Sequence, residues 1–257
     1  MRVAALFDIH GNLPALEAVL QDVRQADVDH IVVGGDILPG PMPRETLERL
    51  LKLDLPVQFI HGNGELAVLA QMDALRTGVV TYWGTTSGNP FPEDVQEGYR
   101  WTAQQLLDYE PVLRGWPKTL QLEVGGLGQV LFCHATPRSE TEVFFRLTSE
   151  AKLAPLFDEL HVSLVVCGHT HMQFDRMVGK TRVVNAGSIG EPFGEAGAFW
   201  ALLGPDVELR HTAYDVTRAA ELIRLTPYPQ AGESADGLLH PTPEAEILEL
   251  FGKYELR

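Results

Sequence analysis

Five short polar blocks, each directly after an apolar segment of strand length, constrain the fold of this chain more than any other feature of its sequence. Three of the apolar segments lie early, at 2–7, 30–33 and 57–60, and helical patterns over 13–25 and 46–53 separate them. Buried strands that form continuous apolar runs between helices are typical of a parallel sheet covered on both faces. The chain is therefore predicted to be an α/β protein.

The polar blocks carry side chains that can bind metal ions. They are Asp8-Ile9-His10-Gly11-Asn12, Gly34-Gly35-Asp36, Gly62-Asn63, Cys133-His134 and Gly168-His169-Thr170-His171. In open α/β sheets, ligands bind outside the carboxyl ends of the strands, so we expect the five blocks to converge on one edge. Glycines beside four of the blocks permit sharp turns and close backbone approach.

Each block alone has an ordinary interpretation. An Asp-x-His sequence is often a turn with a surface histidine, Gly-Asp after a strand is a common helix-capping turn, and Gly-Asn is a common turn dipeptide. The ordered set of five is much harder to obtain by chance. The set as a whole, rather than any single block, indicates a metal site.

With its blocks in this order, the sequence resembles the calcineurin-like metallophosphoesterase superfamily, whose pattern is Asp-x-His, Gly-Asp, Gly-Asn, His and Gly-His-x-His. The likeness runs over residues 8–171, and the segment 185–190 is similar to the Asn-Pro-Gly-Ser segment of family members. Size and architecture resemble the small prokaryotic phosphodiesterase branch. The resemblance implies a two-sheet β sandwich flanked by helices, a four-layer α/β/β/α fold.

The resemblance also implies two bound divalent metal ions. The implied ligands are Asp8, His10 and His171 for the first metal, Asn63, His134 and His169 for the second, and Asp36 as a bridge between them. Mixed carboxylate, imidazole and amide ligation suits Mn, Fe, Ni or Zn better than Mg or Ca, and we expect Mn.

Such a pair of ions predicts a hydrolytic reaction. Two ions about 3.5–4 Å apart can clamp the attacking and leaving oxygens of an in-line displacement, and they lower the pKa of a bridging water. The resulting hydroxide would attack phosphorus directly, and Asp36, Asn63, His134 and His169 would position it as metal ligands. The predicted substrate is a small phosphodiester or a nucleotide-like molecule.

One departure from the family pattern leaves the substrate class open. Many members have His directly after Gly-Asn, where it is thought to stabilise or protonate the leaving group, whereas this chain has Gly64. His61 could substitute for that imidazole, or it could be a strand-end histidine that faces away. The alternative functions are a phosphomonoesterase, including a serine/threonine protein phosphatase, and an inactive metal-binding interaction module. The complete ligand set argues against the module.

Three further side chains are candidate substrate contacts. Arg138 and Arg146 follow His134 and could bind phosphate through the bidentate guanidinium fork, although an exposed loop arginine often has no specific role. Asn12 could contact the phosphate or only shape the turn after His10.

Composition limits the partners and the location. The formal net charge is −15, and no stretch gathers the Lys/Arg patch that binding to long nucleic acids requires. Small phosphates stay possible, because bound cations can reverse the local field. No apolar run reaches the roughly 20 residues of a membrane helix, and the two cysteines fit a reducing compartment, so we expect a cytoplasmic protein. The oligomeric state is left open.

The chain is expected to form one domain over residues 1–257. Residues 78–115 interrupt the strand–helix alternation with a loop and a helix at about 93–109, and we expect them to form a small helical cap. Hairpins are predicted from residue 119 onward. The surface tail is predicted at about 226–257. Its Pro/Gly/Ser-rich stretch at 226–242 is expected to loop over the surface, before a last helix around 244–251.

Overall fold

The computed structural model describes residues 1–256 and contains two mixed β-sheets. The strands are β1 Val3–Leu6, β2 His30–Val33, β3 Val57–Phe59, β4 Thr119–Val124, β5 Gly128–Cys133, β6 Leu164–Cys167, β7 Phe174–Val178, β8 Thr181–Asn185, β9 Ala198–Leu203 and β10 Val207–Thr212. The first sheet has the order β10-β9-β1-β2-β3, and the second has the order β4-β5-β6-β8-β7.

Helices flank both sheets. They are α1 Leu13–Gln25, α2 Pro43–Leu51, α3 Asn63–Thr77, α4 Glu93–Gln105, α5 Glu110–Arg114, α6 Glu150–Phe157, α7 Val216–Arg224, α8 Ala231–Leu239 and α9 Glu244–Gly252, and a 3-10 turn at Leu107–Tyr109 joins α4 to α5. The two-sheet sandwich flanked by helices that the sequence predicts is therefore confirmed. None of the helices in residues 1–256 is long and apolar enough to cross a membrane.

Parallel pairing places the ends of several strands at the same edge. β2 pairs in parallel with both β1 and β3, while β6 pairs in parallel with β5 and β8. The carboxyl ends of these strands carry the five polar blocks. Backbone bonds join the two sheets there, since Ile189 N donates to Phe7 O at 3.1 Å and Gly190 N donates to Asp8 O at 2.9 Å.

Period-two alternation along β1 builds the two sides of the core. Val3, Ala5 and Phe7 lie in the cluster between the sheets, whereas Ala4 and Leu6 face the helices on the other side. The phenyl ring of Phe7 packs so closely on the neighbouring loops that a Cβ at Gly34 would lie 1.9 Å from it and one at Gly168 would lie 2.6 Å away. Glycine is therefore required at both positions.

The C-terminal part differs from the prediction. The segment expected to be a loop up to residue 242 contains α8, so that prediction was wrong at 231–239. Gly232 and Gly237 weaken the local helix signal, but Ala235 and Leu238 are buried against a cluster that includes Trp101 of α4. Tertiary packing outweighs the low helix propensity of this segment.

The segment at 78–115 packs onto the rest of the chain through its aromatic residues. Phe91 and Tyr99 stack on each other at 5.2 Å and pack into the core cluster on the helix side of the first sheet, and Trp101 meets Tyr228 edge-on at 5.5 Å. These contacts agree with a packing role for the aromatic residues. The predicted helix at 93–109 ends at Gln105 and is followed by the 3-10 turn. Cys133 and Cys167 are buried free thiols at the ends of β5 and β6.

Candidate metal centre

The backbone at the predicted ligands is unusual. Within residues 1–256, six non-glycine residues have positive φ, and five of them are predicted ligands: Asp8, His10, Asp36, His169 and His171. L-residues adopt this left-handed region at a cost, and residues held there concentrate at functional sites. Backbone bonds fix the loops, since Asp8 N donates to Gly35 O at 3.1 Å and His10 N donates to Asp36 O at 3.0 Å.

One group of ligand atoms comes from Asp8, His10 and His171, whose candidate ligand atoms lie within 4.8 Å of one another. The Nε2 atoms of His10 and His171 are 3.2 Å apart, and His171 Nε2 lies 3.5 Å from Asp8 Oδ1. Asp8 Oδ1 is buried and has no hydrogen-bond partner among the described residues. A buried carboxylate oxygen without a donor, faced by imidazole nitrogens, fits a bound cation.

The second group comes from Asp36, His134 and His169, again with candidate ligand atoms within 4.8 Å of one another. Asn63 joins it through Oδ1, which lies 3.0 Å from His134 Nε2. Carboxylate, imidazole and amide oxygen are the donor types that suit transition metals. The structure thus brings together all seven predicted ligands in two adjacent groups.

Asp36 lies between the two groups. Its Oδ2 is 3.5 Å from His134 Nε2 and 3.9 Å from His10 Nε2. Its Oδ1 accepts a hydrogen bond from Gly64 N at 2.7 Å. Oδ2 thus faces a ligand of each group, which is the position expected of an oxygen that contacts both ions.

Hydrogen bonds orient two of the imidazole rings. His134 Nδ1 lies 3.0 Å from Gly34 O, and His171 Nδ1 lies 2.7 Å from Glu191 O. Because a carbonyl oxygen only accepts, each Nδ1 carries a proton, so Nε2 is the nitrogen that can bind a metal ion when its own proton is released. These bonds prepare both rings for metal ligation.

Electrostatics keep the carboxylates charged despite their burial. Burial alone would raise the pKa of Asp36, but the charge and hydrogen bond of His134 outweigh it and hold the pKa well below its ordinary value. For His134, burial lowers the pKa, but the charges of Asp36 and Asp8 raise it to about 10. Burial and the charge of His134 lower the pKa of His169 to about 4. Two buried carboxylates make this edge attractive to cations.

Asn12 uses its side chain within the protein. Its Oδ1 accepts from Ala15 N at 3.1 Å and caps α1, while Nδ2 donates to Gly190 O at 3.1 Å and to the Tyr214 hydroxyl at 3.3 Å. These contacts match the turn-shaping alternative. Contact between Asn12 and substrate stays a prediction.

The other three candidate substrate contacts also form bonds within the protein. His61 Nε2 lies 2.6 Å from Leu113 O, beside α5, which matches the alternative of a histidine that faces away. Arg138 pairs with Glu142 at 2.6 Å, and the Arg146 guanidinium pairs with a carboxylate of α9 at 2.7 Å. Phosphate binding by these three residues stays a prediction.

The backbone around Gly64 explains the missing imidazole. A Cβ at this position would lie 1.9 Å from Leu38 O and 3.0 Å from Asp36 Oδ1. Real Cβ atoms do not approach a carbonyl oxygen this closely, so only glycine fits. The loop after β2 occupies the space that a histidine at residue 64 would need.

Sequence reasoning missed two residues that organise the site. Glu65 is fully buried, and its carboxylate accepts hydrogen bonds from three backbone N–H groups. Ser188 Oγ donates to Asp8 O at 2.8 Å and accepts from Glu191 N at 2.8 Å. A signal for Glu65 existed, because Glu as the third residue of a helix commonly caps the residue before the helix, here Gly62.

The fold and this site define a metallophosphoesterase. The family model of the calcineurin-like phosphoesterase superfamily domain matches residues 1–205, and the chain belongs to this superfamily. The superfamily acts on phosphoester bonds with divalent metal ions, and the two groups of ligand atoms fit such ions.

The chain is also similar to individual proteins. The chain is 26% identical over 242 residues to an uncharacterized protein of Methanocaldococcus jannaschii, covering 86% of this chain and 91% of the relative. A metallophosphoesterase of Sphaerobacter thermophilus has a similar structure, with TM-score 0.68, 25% identity and coverage of 92% of this chain and 99% of that chain. A hypothetical protein of Pyrococcus horikoshii OT3 shares the fold, with TM-score 0.71, 22% identity and coverage of 92% and 97%.

Proposed function

We propose that this protein is a dinuclear-metal-dependent phosphoesterase that hydrolyses a small phosphodiester or nucleotide-like substrate. The observation that carries the proposal is the position of Asp36 Oδ2, which faces His134 of one ligand group and His10 of the other. When bound, two divalent ions would supply the hydrolytic hydroxide near neutral pH and neutralise the phosphoryl oxygens.

The protein's own contribution is orientation and charge. Asp8 and Asp36 supply buried negative charge, the first group presents Asp8 Oδ1, and the second presents Asp36 Oδ2. The carbonyls of Gly34 and Glu191 hold the rings of His134 and His171 in the tautomer that binds metal. Six of the seven side chains lie in loops directly after strands and Asn63 begins α3. Backbone hydrogen bonds restrain these loops, which favours a site organised before the substrate binds.

Charge favours a diester over a monoester. A phosphomonoester carries close to two negative charges near neutral pH, whereas a diester carries one. Among residues 1–256, no Lys or Arg side chain forms a hydrogen bond or ion pair with the seven ligands, and Arg138 is paired with Glu142. Gly64 also stands where protein phosphatases of this superfamily have a histidine, so the imidazole that is thought to act on the leaving group is missing at that position. A singly charged substrate therefore suits this site better.

Hydrolysis of two model substrates tests this proposal. The purified protein, stripped with EDTA and reloaded with Mn, should hydrolyse bis-p-nitrophenyl phosphate with a kcat/KM at least about tenfold above that for p-nitrophenyl phosphate, a difference of ~1.4 kcal/mol in barrier. A preference for the monoester would make a phosphomonoesterase the better assignment. Silence on both esters with bound metal would favour the interaction module.

The identity of the metals needs a separate measurement. We propose two Mn ions, with Fe, Ni and Zn as alternatives, because the donor set combines imidazole nitrogens with carboxylate and amide oxygens. Elemental analysis of protein purified without chelators should give close to two transition-metal ions per chain. The proposed setting is cytoplasmic, with a small phosphorylated substrate rather than a long nucleic acid, in line with the net charge of −15.

A further inference from the structure

The carboxylate of Glu65 lies at the meeting point of two loops that carry ligands. Oε2 accepts from Asp36 N at 2.8 Å and from Gly62 N at 2.8 Å, and Oε1 accepts from Leu38 N at 3.1 Å. The side chain is fully buried. Two of these donors belong to the loop after β2, and the third immediately precedes Asn63.

A second bond ties the same two loops together. Gly64 N donates to Asp36 Oδ1 at 2.7 Å, which leaves Oδ2 as the free oxygen of that carboxylate. The loops approach so closely that a Cβ at Gly35 would lie 2.4 Å from Gly62 N. The backbone and one carboxylate oxygen of Asp36 are therefore both fixed from the start of α3, and Glu65 supplies the backbone part.

The burial of Glu65 makes its three hydrogen bonds important. A polar group buried away from water is costly unless hydrogen bonds satisfy it, and the three backbone N–H groups satisfy both carboxyl oxygens of Glu65. Asp36 also adopts a left-handed backbone conformation, with φ 51°, which needs outside restraint. Glu65 provides that restraint at the amide of Asp36 itself.

We propose that Glu65 is a positioning residue that fixes the bridging carboxylate of Asp36 relative to Asn63, so that the second metal binds beside the first. The inference rests on the proposed two-metal centre. It assigns a role in metal pairing to a side chain that has no ligand atom in either group. Outer residues that orient ligands typically change metal affinity by about 10–100-fold when they are replaced.

Glu65→Gln tests the role with a side chain of the same size. Gln replaces one acceptor oxygen by an NH₂ donor, so at least one backbone N–H would face another donor. We expect binding of one Mn per chain to stay near the wild-type affinity, because Asp8, His10 and His171 do not contact Glu65. We expect the affinity for the second Mn to fall by about 10–100-fold.

Two measurements on the full-length protein report the pair directly. Titration of the stripped protein with Mn, followed by calorimetry, gives the two affinities, and electron paramagnetic resonance separates a spin-coupled Mn pair from an isolated Mn. At a Mn concentration that fills both sites of the wild type, Glu65→Gln should show mainly the isolated signal. A merely structural role would not change this signal in a folded variant.

Thr148→Val is the matched control. Thr148 Oγ1 is also buried, donates to Glu255 Oε1 at 2.6 Å and accepts from Phe145 N at 2.9 Å, and it contacts none of the seven ligands. This variant should bind two Mn with wild-type affinities and keep the coupled signal. Equal loss of the second Mn in both variants would show general destabilisation and overturn the inference.

A second variant of Glu65 keeps the inference testable if Glu65→Gln does not fold. If thermal unfolding shows that Glu65→Gln is not folded, Glu65→Asp keeps the carboxyl group but withdraws its oxygens by about 1.5 Å, one bond length, so they cannot reach both loops. If a folded Glu65 variant binds both Mn ions with the affinities of the wild type, the inference about Glu65 is wrong, while the proposed function still stands. Failure of the wild type itself to bind a second Mn would overturn both the inference and the proposed function.

Discussion

At the scale of single residues, the two carboxylate oxygens of Asp36 have different contacts, and this difference determines how the site could bind metal ions. Oδ1 is committed to Gly64 N, and Oδ2 faces both ligand groups. An amide side chain can satisfy only one of these demands. If its oxygen accepts from Gly64, its NH₂ faces the ions, and if its oxygen faces the ions, its NH₂ meets the N–H of Gly64.

Asp36→Asn should therefore lose metal and turnover together. We expect kcat to fall by roughly a thousandfold, or ~4 kcal/mol of barrier, and the metal content to fall below two ions per chain. Steady-state kinetics with elemental analysis of the same sample measures both. Arg138→Ala is the comparison: it should keep the metal content and kcat of the wild type, and any loss should be confined to KM. Near-normal turnover in Asp36→Asn would show that the two-metal assignment is wrong.

The residue scale also shows where sequence reasoning succeeds. Asp8, Asp36 and His134 could be placed in one site because each follows an apolar strand, and strand ends on one edge converge whatever the details of packing. Glu65 could not be placed in the same way. Its acceptor role at Asp36 N depends on two residues that are 29 positions apart along the chain and approach each other only in the folded structure.

At the scale of elements, an ion-pair network joins the cap-like segment to the helix that begins at Asn63. Glu110 of α5 accepts from Arg76 of α3 at 2.8 Å and from Arg114 at 2.8 Å, and both arginines also bond to Asp73. Hydrogen bonds from Arg76 and Arg114 lower the pKa of Glu110 to about 2 from its ordinary 4.5. The ionised carboxylate is therefore favoured in the folded state.

Glu110→Gln should weaken this connection in a pH-dependent way. A carboxylate with a lowered folded-state pKa contributes stability above its unfolded pKa of 4.5, and the contribution is lost as the pH falls to about 2. We expect the variant to lose about 0.5–1 kcal/mol of unfolding free energy at pH 7, since the network is largely exposed. Urea unfolding from pH 7 to pH 2.5 measures the difference, which should shrink on acidification. A constant difference would contradict this account.

Elements also show why one helix could not be predicted. The strands β1 and β6 were evident because continuous apolar runs signal buried strands. In α8 the sequence is rich in small residues, and Gly232 and Gly237 oppose a helix, so local propensity favoured a loop. The helix forms because Leu238 and its neighbours pack against Trp101, which lies more than one hundred residues earlier in the chain.

At the scale of the whole molecule, the proposed metal centre draws its ligands from both sheets. Asp8, from the first sheet, accepts from His169 N of the second sheet through Oδ2 at 2.8 Å and offers Oδ1 to His171. Ligands from both sheets surround each proposed ion, so an ion that binds only the folded chain stabilises the packing of one sheet on the other. Metal binding and global stability should therefore be linked.

Addition of Mn to the stripped protein should raise its melting temperature. At 100 times the dissociation constant, one site adds about 2.7 kcal/mol of stability, which corresponds to roughly 5–11 °C for a chain of this size. Scanning calorimetry with increasing Mn should show one transition that moves upward as a unit, because the ligands come from both sheets of a proposed single domain. Mg and Ca, which prefer all-oxygen sites, should give smaller shifts at equal concentration. Two transitions, of which only one responds to Mn, would contradict both the single domain and the shared centre.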